Sequence, residues 1–194
     1  MKTNFKKNPI ILSTVAIALS FCIISCKAHE IYSKDHSEEL NEEKFDRPKD
    51  QKDAQFLVNA ADIFMEEISL AKLAQQNGTT SPIKELGRTM ELTHQNSFDE
   101  LKALAKRNNI TIPTTITDQG DESYRLLNEK TGDEFDETYA NIMVEKHETA
   151  IVIFEKAADK AKDNHIETWA NEMLVVLRKC LVEAKLCAVQ FERE

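Results

Sequence analysis

Four polar residues occupy positions where amphipathic helices normally carry apolar side chains. Glu67 and His94 lie close to the centres of two predicted apolar faces, and His147 and Cys180 lie nearer the edges of two others. A carboxylate, two imidazoles and a thiolate suit a single zinc or copper ion better than an iron pair. The set therefore predicts a metal site that holds one zinc, copper or iron ion.

The same four residues also allow a simpler interpretation. Buried histidine and glutamate often satisfy each other by hydrogen bonds, and an inward cysteine usually behaves as a small apolar residue. A hydrogen-bonded core layer without a metal therefore remains open.

Glu91 stands three residues before His94, the spacing by which helices in metal-carboxylate bundles pair ligands. Its side chain lies on the flank of the predicted helix, so Glu91 is a weak co-ligand. Di-iron bundles use about four carboxylates and two histidines, whereas Glu148 and Glu183 are predicted to point outward. The pattern argues against an iron pair.

The four residues are also predicted to lie at one height. Glu67 and His94 are nearly symmetric about a predicted turn at Asn77 to Ser81, and His147 and Cys180 are symmetric about a turn at Asp163-Asn164. In an antiparallel hairpin such pairs lie side by side. If the two hairpins are joined by a connection that returns along the bundle, all four fall within about one helical turn of each other.

Four long segments with helical periodicity supply these positions. With only four Gly and four Pro in 194 residues, helix breakers are scarce. A long connection between the second and third segments holds the extended stretch TIPTT and a short predicted helix in DESYRLLNEK. The segments predict an all-α fold, a ferritin-like antiparallel four-helix bundle with one long crossover containing a short helix. Their approximate ranges are 53–76, 81–106, 134–162 and 165–191.

The amino terminus is typical of an export signal. Three lysines precede an apolar run at 10–24, which is too short and wrongly flanked for a membrane span. The run ends in IISC, which resembles the cleavage box of bacterial lipoproteins and makes Cys26 the predicted lipid-bearing residue. Cys22 fits less well because bulky Phe21 precedes it.

These features divide the chain into three predicted parts. Residues 1–25 form a lipoprotein signal peptide, 26–51 a flexible polar tether and 52–194 the bundle domain. The predicted location is the bacterial cell envelope, anchored to a membrane through the lipid on Cys26, with the outer membrane facing the periplasm or the surface as the expected site. The formal charge of −9 argues against nucleic-acid binding.

The residues also carry a family resemblance. The stretches FLVNAADIFMEEISLAKLAQQNG and SPIKELGRTMELTHQNSFDELKALAKRNNITIP, and the block FD-x-x-Y-x-x-x-M-V-x-x-H from Phe135 to His147, resemble the exported bacterial family known as domain of unknown function 4142. The resemblance covers about Ala54 to Leu186. It implies a ferritin-like bundle, in a family often described only as exported or outer-membrane proteins.

The resemblance also bears on the candidate site. Glu67, His94 and His147 match recurrent polar positions of the family. Two departures stand out, because the family usually has Asp where this chain has Thr93 and His where it has Cys180. Loss of the Asp removes a partner for the imidazole, and Cys in place of His shifts the preference toward softer metals.

Three functions follow in order of expectation. The first is a lipid-anchored envelope protein that binds a metal in the bundle core, with a redox or stress-related role. The second is a non-catalytic structural or protein-interaction module whose polar layer is hydrogen-bonded. A hydrolytic enzyme comes third, because no activated nucleophile is visible and a bundle interior denies Cys180 the exposure and low pKa it would need. The sequence does not decide whether the protein is an enzyme.

Overall fold

The computed structural model describes residues 30–191, and this part of the chain is all helical, without strands. The all-α prediction is confirmed. All six helices belong to one compact unit that starts at Ile31. The helices are α1 (Lys34–Lys44), α2 (Pro48–Asn77), α3 (Ser81–Arg107), α4 (Asp118–Asn128), α5 (Gly132–Lys160) and α6 (Asn164–Ala188).

The four long helices form two antiparallel hairpins, α2 with α3 and α5 with α6, and each hairpin packs against the other through α2 on α5 and α3 on α6. The connection from α3 to α5 contains the short helix α4, which packs on α2 and α5. This connection returns along the bundle, so α3 and α5 are parallel. The arrangement is compatible with the ferritin-like bundle expected from the sequence.

Two aspartates fix the ends of the bundle. Asp53 of α2 accepts hydrogen bonds from the backbone N–H groups of Lys162 and Asp163 at 2.9–3.1 Å, in the loop between α5 and α6. Asp136 of α5 accepts from Thr79 and Thr80 in the loop between α2 and α3, at 2.8–2.9 Å. Each hairpin loop is therefore held by a carboxylate of the other hairpin, which fixes the relative height of the helices.

The apolar core has two halves. One half lies toward the α5–α6 loop and is rich in aromatic rings, with Phe56, Phe154 and Trp169 in contact. The other half lies toward the α2–α3 loop and holds mostly aliphatic residues and methionines. The two halves are separated by one buried polar residue on α2 and on α5 and by two, His94 and Ser97, on α3, which creates a polar layer at mid-height.

The expectation of a flexible tether over 26–51 is wrong for the described part of that segment. Residues 34–44 form α1, and α2 begins at Pro48. The buried side chain of Asn41 donates to the backbone oxygen of Thr111 at 2.7 Å and accepts from its N–H at 2.8 Å, while Thr114 donates to the backbone oxygen of Tyr32 at 2.9 Å. Paired polar groups order the segment together with Phe45, which packs on the apolar core.

The predicted signal peptide and Cys26 lie outside the described residues. Among residues 30–191, no helix combines the length and apolar character that a membrane crossing requires.

Candidate metal centre

The four predicted site residues meet in the polar layer. Glu67 lies on α2, His94 on α3, His147 on α5 and Cys180 on α6. The first three are fully buried, and Cys180 is 2% exposed. Each residue replaces an apolar position on the inward face of its helix, so the helical periodicity that builds the core also brings the polar groups together.

Glu67 lies against both imidazoles. Its Oε2 is 3.2 Å from Nε2 of His94, and its Oε1 is 3.8 Å from Nδ1 of His147. Neither carboxylate oxygen is aligned for a hydrogen bond with these rings. The contacts are close and electrostatic, but they leave the lone pairs of the carboxylate without a donor.

His147 has a defined tautomer. Its Nδ1 lies 2.7 Å from the backbone oxygen of Met143, one turn earlier on α5. A carbonyl oxygen only accepts, so Nδ1 carries the hydrogen and Nε2 presents its lone pair. Metal-binding histidines are oriented in the same way, through a hydrogen bond from the ring nitrogen that does not bind the metal.

The donor atoms of His94, His147 and Cys180 form a compact group. One donor atom from each residue lies within 4.8 Å of the other two, and the imidazole ring centroids are 5.2 Å apart. This buried group is able to hold a metal ion. Glu67 flanks the group from the side of α2 instead of completing the set of mutually close atoms.

Burial sets the protonation of two of these groups. Burial lowers the pKa of His94 to about 4. The Glu67 carboxyl raises this pKa and the His147 ring lowers it, but both effects are smaller than that of burial. Burial raises the pKa of the Cys180 thiol to about 12, and Glu67 and Glu183 raise it further. At neutral pH the layer therefore contains a neutral His94 and a protonated Cys180.

Unpartnered polar atoms are concentrated in this layer. Hydrogen-bond partners among the described residues are lacking for both oxygens of Glu67, both ring nitrogens of His94 and Nε2 of His147. Nearly all buried polar groups in folded proteins are hydrogen-bonded. Such a cluster at the centre of the bundle is able to accept further hydrogen-bond or metal partners.

Glu91 stays outside the layer. Its side chain is 33% exposed, accepts a hydrogen bond from Gln75 at 2.6 Å and lies 3.8 Å from Nζ of Lys72. Glu148 is exposed and pairs with Lys185, as expected for an outward residue. Among the described residues, Glu67 alone forms a carboxylate–imidazole pair with His94 or His147.

Phe64, which contacts the layer, and the buried Tyr139, which carries a hydroxyl, were not predicted as part of the site. Phe64 stacks on the His94 ring, with centroids 5.7 Å apart. Tyr139 is fully buried, and its hydroxyl has no hydrogen-bond partner among the described residues. Helical periodicity predicts that both are core residues. The one sequence feature that distinguishes Tyr139 is a hydroxyl group on an apolar helix face.

The layer is separate from the surface hollows of the molecule. Hollows of about 300 and 340 Å³ lie near the α5–α6 loop, one beside Asp53 and Lys162 and the other beside Trp169. None of the four site residues lines either of them. The candidate centre is enclosed by protein, unlike an open catalytic pocket.

Comparison with known proteins agrees with this architecture. The family model "Domain of unknown function (DUF4142)" matches residues 39–186. The fold is similar to the crystal structure of a DUF305 fragment from Deinococcus radiodurans, with a TM-score of 0.64, 12% identity and coverage of 72% of this chain and 96% of the other. At that identity the likeness concerns the fold alone. No curated protein matches the sequence.

Proposed function

The chain belongs to the DUF4142 family, and from the geometry of the polar layer we propose that it binds one divalent transition-metal ion in the bundle core. His94, His147 and Cys180 are the proposed ligands, with Glu67 as a fourth donor or as the countercharge beside them. The supporting observation is a compact group of buried donor atoms that lack partners among the described protein residues.

Charge balance favours a divalent ion. Two neutral imidazoles, one thiolate and one carboxylate carry a net charge of −2, which a divalent cation neutralises. Charged residues around the layer are paired, Glu66 with Lys146 at 2.7 Å, Glu91 with Lys72 at 3.8 Å and Glu183 with Lys179 at 3.8 Å, and these pairs add no net charge. A monovalent or trivalent ion would leave an uncompensated charge in the interior, at a cost of several kcal/mol.

Nitrogen and sulfur donors favour zinc among the divalent ions, with copper and iron as competitors. Binding requires the Cys180 thiol to lose its proton, because the thiolate is the ligand. Burial raises the pKa of this thiol to about 12, so the proton leaves only as the ion enters. Metal affinity is thus expected to rise with pH.

The enclosed position favours a stabilising or electron-storing role over hydrolysis. Hydrolytic zinc sites keep an open position for water, and the four residues here are almost completely buried. A one-electron role with copper or iron, the redox role expected from the sequence, is less favoured, because Cu⁺ or Fe³⁺ would leave an uncompensated charge in the interior. Zinc would act by stabilising the bundle.

The test is metal content and affinity in the full chain, purified in detergent. Elemental analysis and titration with Zn²⁺, Cu²⁺ and Fe²⁺ are expected to give one ion per chain. His147→Ala should abolish binding, whereas His165→Ala, an exposed histidine at the start of α6, should leave it unchanged. Absence of bound metal together with absence of thermal stabilisation by any of the three ions would support the hydrogen-bonded structural module instead.

We also propose a lipid anchor on Cys26, which would place the bundle in the bacterial envelope. This proposal is supported by the sequence pattern alone. Expression with labelled palmitate should give a labelled protein, and Cys26→Ser should lose the label while Cys22→Ser keeps it. If neither the wild type nor Cys22→Ser is labelled, residues 1–25 are explained by a plain secretory signal instead.

A further inference from the structure

The outer surface of the α5–α6 hairpin carries a strip of exposed apolar side chains. Val152 lies on α5, and Val175, Val182 and Leu186 lie on α6, and each is 57–70% exposed. The three on α6 are spaced by two turns and by one turn, so they follow one face of that helix. Single exposed apolar residues are normal on a protein surface, whereas a group of them on one face marks an interaction surface. We call these four residues the outer strip.

Two ion pairs connect α5 to α6 along this surface. Glu148 lies 2.6 Å from Nζ of Lys185, and Glu155 lies 2.8 Å from the guanidinium of Arg178. All four side chains are half exposed. In both pairs the acidic residue is on α5 and the basic residue is on α6. At these two heights the surface is therefore acidic on one helix and basic on the other.

The ion pairs show that Val152 and Val182 lie at the same height. Val152 is one turn from both Glu148 and Glu155 on α5, and Val182 is one turn from both of their basic partners on α6. The two valines therefore lie side by side between the two ion pairs. An apolar centre with a charged rim is the usual arrangement of an interface between packed helices.

We propose that the outer strip is the interface of a homodimer, formed with a second copy of this chain about a twofold axis parallel to the bundle. This axis places α5 of each copy against α6 of the other and keeps every residue at its height along the bundle. Val152 then packs on Val182 of the second copy, and Glu155 faces Arg178 of the second copy. The inference is independent of the proposed metal, because no residue of the polar layer takes part.

The charge pattern favours a second copy in this orientation. A twofold axis across the hairpin would place α5 on α5, so that glutamates would face glutamates, which is unfavourable. A partner with charges of one sign would match only one of the two helices. A copy related by the parallel axis instead presents a basic residue to each glutamate and a glutamate to each basic residue.

The dimer is tested by measuring the protein mass of the full chain in detergent, by sedimentation over a range of concentrations. Val182→Glu places a carboxylate in the apolar contact, and burial of an unpaired charge is costly, so the dissociation constant should rise about 100-fold. Leu92→Glu is the control, because Leu92 is 64% exposed but lies on α3, outside the outer strip. The Leu92→Glu protein should dimerise like the wild type. A wild type that stays monomeric, or equal dissociation constants for the two variants, would overturn the inference.

An exchange of charges tests the predicted contact between the copies. Glu155→Arg gives a chain that is basic on both helices at this height, and Arg178→Glu gives a chain that is acidic on both. Each variant alone should dimerise about 10-fold more weakly than the wild type, because like charges then face each other. An equimolar mixture should form heterodimers that dissociate no more readily than the wild-type dimer. Both variants lack the ion pair within the chain, so only contact between copies explains recovery on mixing, and a mixture without heterodimers would contradict the proposal.

Discussion

The buried carboxylates of this protein occur in two contrasting settings. At the two ends of the bundle, Asp53 and Asp136 each accept several hydrogen bonds from loop residues. At the centre, Glu67 is equally buried, yet neither of its oxygens has a donor among the described residues. The fold therefore supplies hydrogen-bond donors to both end carboxylates, but it supplies none to the central carboxylate among the described residues.

The reason lies in the backbone. Loops and first helical turns have free N–H groups, because the first four N–H groups of a helix have no partner within it. At mid-height every N–H is already bonded within its own helix. A carboxylate there depends on side chains, water or an ion. The contrast supports the proposal that an ion completes the central layer, whereas the end carboxylates stabilise the hairpin loops.

The strongest test of this contrast is Asp136→Ala. The variant leaves two backbone N–H groups and one hydroxyl of the α2–α3 loop without their acceptor. We expect a loss of about 3 kcal/mol in the free energy of unfolding, measured by urea denaturation of the metal-free protein. The exposed neighbour Glu137 provides the control, and Glu137→Ala should change stability by less than about 0.5 kcal/mol. If Asp136→Ala also changed the free energy of unfolding by less than about 0.5 kcal/mol, the proposed stabilising role of the end carboxylates would be wrong.

Glu67→Gln should act in the opposite direction on the metal-free protein. The substitution keeps the shape of the side chain and removes a charge that lacks hydrogen-bond donors, so the free energy of unfolding should rise by about 1 kcal/mol. Added zinc should then stabilise the variant less than the wild type.

The neighbouring Glu66 provides a matched control for this result, because its carboxylate pairs with Lys146 at 2.7 Å. Glu66→Gln should slightly lower stability and leave zinc binding unchanged. A marked loss of stability in metal-free Glu67→Gln would show that the carboxylate is already well satisfied by protein.

Acid should weaken the stabilisation that the end carboxylates provide, and it should do so in a defined range of pH. Burial alone would raise the pKa of Asp136, but the hydrogen bonds from Thr79 and Thr80 outweigh it and hold the pKa below the ordinary value of 3.8. The stability from this group is therefore fully present above pH 3.8 and is lost as the pH falls through the lower pKa of the folded state.

Comparison of the wild type with Asp136→Asn isolates this pH dependence, which is the smallest of the predicted effects. The difference in free energy of unfolding between wild type and variant should be constant from pH 7 to pH 5 and should shrink below about pH 4. A difference that stays constant into that range would mean that the Asp136 carboxylate is not held in its charged form by the loop.

The sequence predicted the long helices and the central layer because both depend on regular geometry. Helical periodicity identified the inward faces, and the symmetry of Glu67 with His94 and of His147 with Cys180 about their loops predicted a shared height. The three mutually close donor atoms, all within 4.8 Å, confirm that geometry. The family resemblance is confirmed as well.

The missed features depend on contacts between distant residues. Asn41 orders α1 through Thr111, a partner far away in the chain, and composition alone gives no sign of such a bond. The start of α3 is a second case, because the N–H of Thr80, the residue before this helix, donates to the Asp136 carboxylate of another helix. Local sequence patterns do not contain these pairings.

The most direct measurement is the electronic absorption spectrum of the full-length protein after addition of Co²⁺. The account predicts one cobalt per chain and a thiolate-to-cobalt charge-transfer band that disappears in Cys180→Ser. The band should persist in Cys187→Ser, since Cys187 lies two turns away and is partly exposed. A protein that takes up no cobalt, or a charge-transfer band that survives the loss of Cys180, would contradict a metal site built from His94, His147 and Cys180.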